Sequence, residues 1–127
     1  MTSHLPEILA RKLSSRLFLK PPVDLEHVAA EIGLTIRTTN STAYEGIMKR
    51  MRGRALGAIA VRGPLTNPRT RFTIAHEIGH YVLGRNDFLV STCTRRDIRM
   101  YVRTKPEREI KANRFAAELL LPAGTNL

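Results

Sequence analysis

The sequence lacks the features of a secreted or membrane protein. Cys93 is its only cysteine and cannot form a disulfide within the chain, so a disulfide-stapled extracellular domain is excluded. No run of about 18 apolar residues occurs, so no transmembrane helix is expected. The first residues show no signal-peptide pattern. We therefore expect a cytoplasmic protein, and 127 residues suit a single domain spanning residues 1–127.

Acidic residues are also scarce. The chain has 11 Asp and Glu against 21 Lys and Arg, which gives a formal net charge of +10. The basic residues concentrate in segments 49–54, 62–71 and 95–103. Such a surface can bind nucleic acid or attract an acidic partner, and it can equally be a solvated face. Because no DNA-reading motif accompanies the charge, a solvated or protein-binding surface is favoured over direct DNA binding.

The most specific pattern in the chain is His-Glu-x-x-His at residues 76–80. Asn67-Pro68 is a typical helix start and Leu83-Gly84 a typical helix end, so a helix is predicted between them. On that helix His76 and His80 share one face and can bind one zinc ion, with Glu77 directed at the water that the ion holds. The alternative is a pair of core histidines without a metal.

Gly79 lies in the middle of this predicted helix, where glycine costs about 1 kcal/mol relative to alanine. We therefore expect another element to pack very close to it. A helix with small side chains on one face would fit against this position.

A catalytic zinc site of this kind needs a third protein ligand, a carboxylate, and leaves the fourth position to water. The downstream candidates are Asp87, Asp97, Glu107, Glu109 and Glu118. Glu107 ends a capping-box pattern that begins at Thr104, which assigns it to a helix start rather than to a metal. Glu109 then falls on the body of that helix. Glu118 is nine residues further on, on about the opposite side, and is expected to be solvated.

Two separated segments, 71–81 (RFTIAHEIGHY) and 109–122 (EIKANRFAAELLLP), resemble the ImmA/IrrE family of small zinc metallopeptidases, in the gluzincin branch of the zincins. The resemblance implies that Glu109 completes a zinc site with His76 and His80. It also implies that Asn113 holds one of the histidines through a hydrogen bond. Glu77 would be the catalytic residue.

Two departures from the family pattern are visible. Relatives commonly have an acidic residue at the position of Lys111, which should face away from the metal because it lies two residues from Glu109. Relatives often continue well past the Leu-Leu-x-Pro sequence, whereas this chain stops at Leu127, so part of the substrate cleft is expected to be missing at the C-terminus.

The remaining chain predicts an α+β fold of the zincin type, with about four helices packed on a small antiparallel sheet. Helices are expected from Leu5 to Leu17 and from Asp24 to Gly33, and strands at residues 34–38, 45–51 and 55–61. The strand at 55–62 has small side chains and is interpreted as the edge that pairs with an extended substrate, as in zincins generally. The alternative is a short apolar strand without that role.

The resemblance implies a function as well as a fold. Family members typically cleave a helix-turn-helix repressor and so switch on mobile-element or stress genes, which makes a repressor the expected partner and zinc the expected cofactor. Tyr44, Tyr81, Tyr101 and Arg103 are candidates for stabilising the oxyanion, with no preference among them. The rival hypothesis is a non-catalytic basic module that binds DNA or a repressor.

Overall fold

The computed structural model describes residues 4–51, 56–84, 90–93 and 107–121. The elements in chain order are α1 (Leu5–Leu17), α2 (Leu25–Glu31), β1 (Leu34–Thr39), β2 (Gly46–Arg50), β3 (Gly57–Arg62), α3 (Pro68–Gly84), β4 (Val90–Cys93) and α4 (Glu107–Leu120). Four helices and a small sheet make this an α+β fold, as predicted. None of the helices in the described ranges is both long and apolar enough to cross a lipid bilayer.

The second helix begins and ends at residues that suit those positions. The side chain of Asp24 caps α2 by accepting a hydrogen bond from the backbone of His27, at 3.1 Å. After α2 the chain turns through Gly33, whose φ of 87° favours glycine. It then continues into β1 rather than into a second helix, because the residues from Thr35 onward are β-branched.

The strands form one sheet in the order β1-β3-β2-β4. β2 and β3 form an antiparallel hairpin, and residues 52–55 between them lie outside the described residues. β1 pairs with β3 in parallel, so the sheet is mixed rather than wholly antiparallel. β1 lies beside β3, the second strand of the hairpin, and not beside β2. It runs in the same direction as β3 and opposite to β2.

The prediction that residues 55–62 form a sheet edge is wrong. β3 lies between β1 and β2 and pairs with both, so its backbone groups are already used within the sheet. Among the described strands the outer ones are β1 and β4. The small side chains of this segment gave no information about its neighbours, because strand order depends on pairing with residues distant in sequence.

The core lies between the sheet and the helices. Met48 of β2 and Ile59 of β3 are fully buried, as are Ile78 of α3 and Phe115 of α4. The sheet therefore supports α3 on one side, while α4 packs on α3 and α1 packs on α4. This order places α3 at the centre of the described molecule.

Two ion pairs join α1 to α4. Arg114 donates two hydrogen bonds to the carboxylate of Glu7, at 2.8 and 2.7 Å, and Arg11 donates to Glu118 at 3.1 Å. Glu118 is therefore buried, with 9% exposure, and its prediction as a solvated residue is wrong. It does lie on the side of α4 away from Glu109, but α1 covers that side.

We expect the Glu7–Arg114 pair to give a pH-dependent contribution to stability. Its hydrogen bonds to Arg114 lower the pKa of Glu7 from 4.5. The unfolded chain thus takes up a proton more readily, so the contribution is present above about pH 4.5 and is lost as the pH falls through the folded pKa. Glu7→Gln should lower the free energy of unfolding by about 1 kcal/mol or less at pH 7, because the pair is partly exposed.

Urea denaturation at pH 7 and at pH 3 measures this effect. The difference between wild type and Glu7→Gln should be smaller at the lower pH. Glu31→Gln, at an exposed position of α2, is the matched control and should change stability little at either pH. A Glu7→Gln effect that is equal at both pH values would contradict the assignment to this ion pair.

Candidate metal centre

α3 carries three of the predicted site residues, and its start fixes their orientation. Asn67 accepts a hydrogen bond from the backbone of Arg69 at 2.8 Å, and the helix begins at Pro68, as predicted. From this start the helix turns His76, Glu77 and His80 into the interior, where their exposures are 0%, 0% and 4%. The histidines are one turn apart, and their rings meet edge to face at 4.7 Å between centroids.

Glu109 reaches the same point from α4. Its side chain is 2% exposed, and its Oε1 and Oε2 both contact Nε2 of His80, with Oε2 at 3.2 Å. Oε1 lies 3.5 Å from Nε2 of His76. The two histidines and the carboxylate that the family resemblance implied therefore converge, although Glu109 is 29 residues from His80 along the chain.

These donor atoms have the spacing that a metal ion requires. Tetrahedral zinc with bonds of about 2.0–2.1 Å places neighbouring ligand atoms about 3.3 Å apart. The two histidine Nε2 atoms are 3.1 Å apart, and the other separations just given lie close to the same value. Two imidazoles and one carboxylate are also a donor set typical of a hydrolytic metal site. His76, His80 and Glu109 can therefore hold a metal ion.

The electrostatics of the cluster favour cation binding. Burial acts to raise the pKa of Glu109, but its contacts with the imidazoles of His76 and His80 outweigh burial and lower that pKa to about 2. Burial lowers the pKa of His80 below its ordinary value of 6.5. Glu109 is therefore an anion and His80 is neutral at pH 7, which is the protonation that metal ligands need.

Asn113 orients one of the histidines. Its side-chain oxygen lies 2.7 Å from Nδ1 of His76, and the amide is buried one turn beyond Glu109 on α4. Because an amide oxygen can only accept, Nδ1 donates to it, which in a neutral ring leaves the lone pair on Nε2. That lone pair faces His80 and Glu109, so the hydrogen bond prepares His76 to bind a metal.

Replacing Asn113 should weaken metal binding without removing a ligand. We expect Asn113→Leu to lower the affinity for zinc by about 10- to 100-fold, because the hydrogen bond that fixes the ring of His76 is lost. Competition with a chromophoric chelator measures this affinity. Asn113→Asp keeps an oxygen acceptor and should retain most of it. Equal affinities for Asn113→Leu and wild type would show that the contact does not prepare the site.

Close packing of the two helices brings the site together. A Cβ atom added at Gly79 would lie 3.1 Å from Cδ1 of Phe115 and 3.2 Å from the carbonyl oxygen of Ala112. The predicted close approach at Gly79 is thus confirmed, and the element that approaches is α4. The sequence signal was a glycine in mid-helix, and the structure identifies Phe115 as its main neighbour.

The other candidate carboxylates within the described residues, Glu107 and Glu118, are not brought to the cluster. Glu107 begins α4 and lies 3.6 Å from Lys111 on its surface, so Lys111 faces away from Glu109, as expected. Asp87, Asp97, Tyr101, Arg103 and the cap residue Thr104 lie outside the described residues. Tyr44 is half-buried just before β2.

Sequence reasoning missed a contact between Arg50 and Tyr81. The guanidinium of Arg50 lies over the Tyr81 ring, 4.3 Å from its centroid, and donates to the Tyr81 carbonyl oxygen at 2.6 Å. The contact holds the end of β2 against the last turns of α3. No local pattern reveals it, since the two residues are distant in sequence. The sequence placed Arg50 in a basic segment and a predicted strand, without a partner for its side chain.

Comparison with known proteins agrees with the geometry. Residues 29–125, about three quarters of the chain, match the profile of a peptidase family described as the IrrE N-terminal-like domain. The match includes α3 and α4 and therefore His76, Glu77, His80, Glu109 and Asn113. It excludes α1. A search of curated proteins finds no significant match.

Proposed function

Because the chain belongs to the IrrE N-terminal-like family of metal-dependent peptidases, we propose that it is a zinc endopeptidase that acts in the cytoplasm. Its proposed substrate is a helix-turn-helix transcriptional repressor, cut at one site so that mobile-element or stress genes are expressed. The observation that carries the enzymatic part is the convergence of His76, His80 and Glu109, with Glu77 on the same helix turn.

His76, His80 and Glu109 would hold the ion through two nitrogens and one oxygen. Bound zinc lowers the pKa of a coordinated water towards about 7 and polarises the scissile carbonyl group. Glu77 is adjacent to His76 and is not part of the ligand set, and its carboxylate would accept the proton of the attacking water. The same carboxylate then delivers that proton to the leaving amine.

An extended substrate needs a strand edge beside the site, and β4 is suited to that role. It is an outer strand of the described sheet, and it contacts α3. Among the described strands β4 pairs only with β2, on one side, and the backbone groups of its other side would pair with a substrate strand. We propose β4 for the role that was first assigned to residues 55–62.

The buried position of the site supports selective rather than digestive cleavage. His76 and Glu77 are fully buried and His80 is 4% exposed, so a folded protein surface has little access to the cluster. One extended loop that can reach the cluster would be cut in preference to the rest of a folded protein. A repressor with a single exposed linker has such a loop.

Cleavage of a repressor tests this function directly. The zinc-loaded protein is incubated with each helix-turn-helix repressor encoded near its gene, and the fragments are identified by mass spectrometry. We expect two fragments from one repressor, no cleavage after chelation, and recovery when zinc is returned. If every candidate repressor stays intact in the presence of zinc-loaded protein, the proposed substrate is wrong.

The alternative function is a non-catalytic basic module that binds DNA or a repressor, and the net charge of +10 favours it. Some of the basic residues form contacts within the fold, however. Arg62 and Arg69 both contact the buried carboxylate of Glu45, and Arg71 donates to the carbonyl oxygen of Val23 at 2.7 Å. Metal-free protein with salt-sensitive DNA binding would support the module, whereas one zinc per chain, lost in His80→Ala, would support the enzyme.

A further inference from the structure

A groove with a volume of about 480 Å³ lies on the surface formed by α1, the end of α2 and the last turns of α3. Its lining residues are Leu9, Lys12, Leu13, Arg16, Ile32, Tyr81 and Val82. We call this feature the α1 groove. None of the clustered residues His76, His80 and Glu109 lines it, although Tyr81 and Val82 directly follow His80. Since successive helical residues are about 100° apart, the groove occupies a neighbouring face of α3.

The α1 groove combines an apolar floor with a cationic rim. Leu9, Leu13, Ile32 and Val82 supply the floor, and each is only partly or slightly exposed. Lys12 and Arg16 are exposed and lie one turn apart on α1, and none of the described residues that line the groove is a carboxylate.

Lys12 and Arg16 differ from two neighbouring arginines, which form ion pairs with acidic residues. Arg11, on the same helix, pairs with Glu118, and Arg114 pairs with Glu7. Lys12 and Arg16 form no ion pair with an acidic residue in the described part of the chain. Their charges therefore remain available to a partner that occupies the groove.

We propose that the α1 groove docks an acidic amphipathic helix of a protein partner. Apolar side chains on one face of such a helix would fill the floor, in the mode by which helices bind hydrophobic grooves. Carboxylates one turn apart on the docked helix would match Lys12 and Arg16, which have the same one-turn spacing. The proposal does not depend on the metal or on peptidase activity.

Charge distinguishes this occupant from other candidates. The chain's own segment 94–106 has five basic residues and one acidic residue, so the cationic rim would repel it. A nucleic-acid strand would satisfy the two cations but would leave the apolar floor without apolar contacts. An acidic helix with an apolar face satisfies both parts of the groove.

Binding of a designed probe peptide tests the proposal with the full-length protein. The probe is a fluorescein-labelled helical peptide of about 18 residues, with leucines at helical spacing and glutamates beside them. A second peptide has lysine at every glutamate position. Fluorescence anisotropy gives the affinities of wild type, of Lys12→Glu/Arg16→Glu, and of the control Lys20→Glu/Lys49→Glu. The control changes the net charge equally at exposed positions outside the groove.

We expect the acidic peptide to bind wild type more tightly than the lysine peptide. Reversing the charges of Lys12 and Arg16 should weaken it by about tenfold or more, and the control should weaken it much less. Chelation of metal should leave the affinity unchanged, and circular dichroism should show that both double variants are folded.

Three results would overturn the proposal. Equal affinity for the two peptides would show that the rim charges do not select the partner. Equal loss in both double variants would assign the binding to the overall positive charge. Binding of phosphatidylglycerol vesicles that depends on Lys12 and Arg16, without peptide binding, would assign the groove to a lipid surface instead.

Discussion

Glu77→Gln should lower the rate of the proposed repressor cleavage by about 10²- to 10⁴-fold, which is the usual contribution of a positioned general base. The amide cannot accept the proton of the attacking water, whereas its size matches that of the carboxyl group. Glu77 lies outside the cluster of His76, His80 and Glu109, so the zinc content should stay at that of wild type. The loss should therefore appear in the turnover number and not in metal binding.

The control for this variant is the same substitution at an exposed position. The side chain of Glu107 is 81% exposed at the start of α4, and Glu107→Gln should retain wild-type activity. Cleavage is measured by densitometry of the intact repressor, and zinc by elemental analysis of the same samples. Activity of Glu77→Gln above about a tenth of wild type would remove Glu77 from the role of general base.

Gly79→Val should destabilise the protein by about 2–3 kcal/mol and lower its zinc affinity together with its stability. The position has no room for a branched side chain, because even a Cβ would lie 3.1–3.2 Å from Phe115 and from the carbonyl oxygen of Ala112. Relief of this overlap must move α4 away from α3. Glu109 is on α4 three residues before Ala112, so the movement would separate it from the two histidines.

Chemical denaturation of the metal-free protein and chelator competition measure the two effects of Gly79→Val. Ala117→Val is the matched control, since Ala117 is exposed on α4 and the change there costs only a few tenths of a kcal/mol in helix propensity. If Gly79→Val were no less stable than this control, the close approach of the two helices would not determine the geometry of the site.

The histidines and Glu77 could be predicted from the sequence because helical spacing alone brings them together. Their relation is local, and Asn67 and Gly84 marked the two ends of the helix that carries them. Glu109 required more, since nothing local distinguishes one downstream carboxylate from another as a ligand. The resemblance to a family supplied that choice, and the structure places Glu109 in contact with both histidines.

The features that could not be predicted depend on contacts between residues distant in sequence. Glu118 has the helical position of a solvated residue, and only the packing of α1 on α4 buries it. The segment at residues 55–62 likewise has the composition of an edge strand, but β1 pairs with its free side. In both cases the local pattern predicted the helix or strand correctly but not the elements that pack or pair with it.

The ion pairs between α1 and α4 have a practical consequence for isolating the part of the chain that matches the family. A recombinant protein trimmed to the residues that match the family, 29–125, would have no α1. Such trimming would remove the partners of Arg114 and Glu118 and expose the apolar side of α4 that α1 covers. Loss of these ion pairs and newly exposed hydrophobic surface favour aggregation and loosen the helix that carries Glu109. The N-terminal helix is therefore needed in any soluble fragment intended for metal or activity measurements.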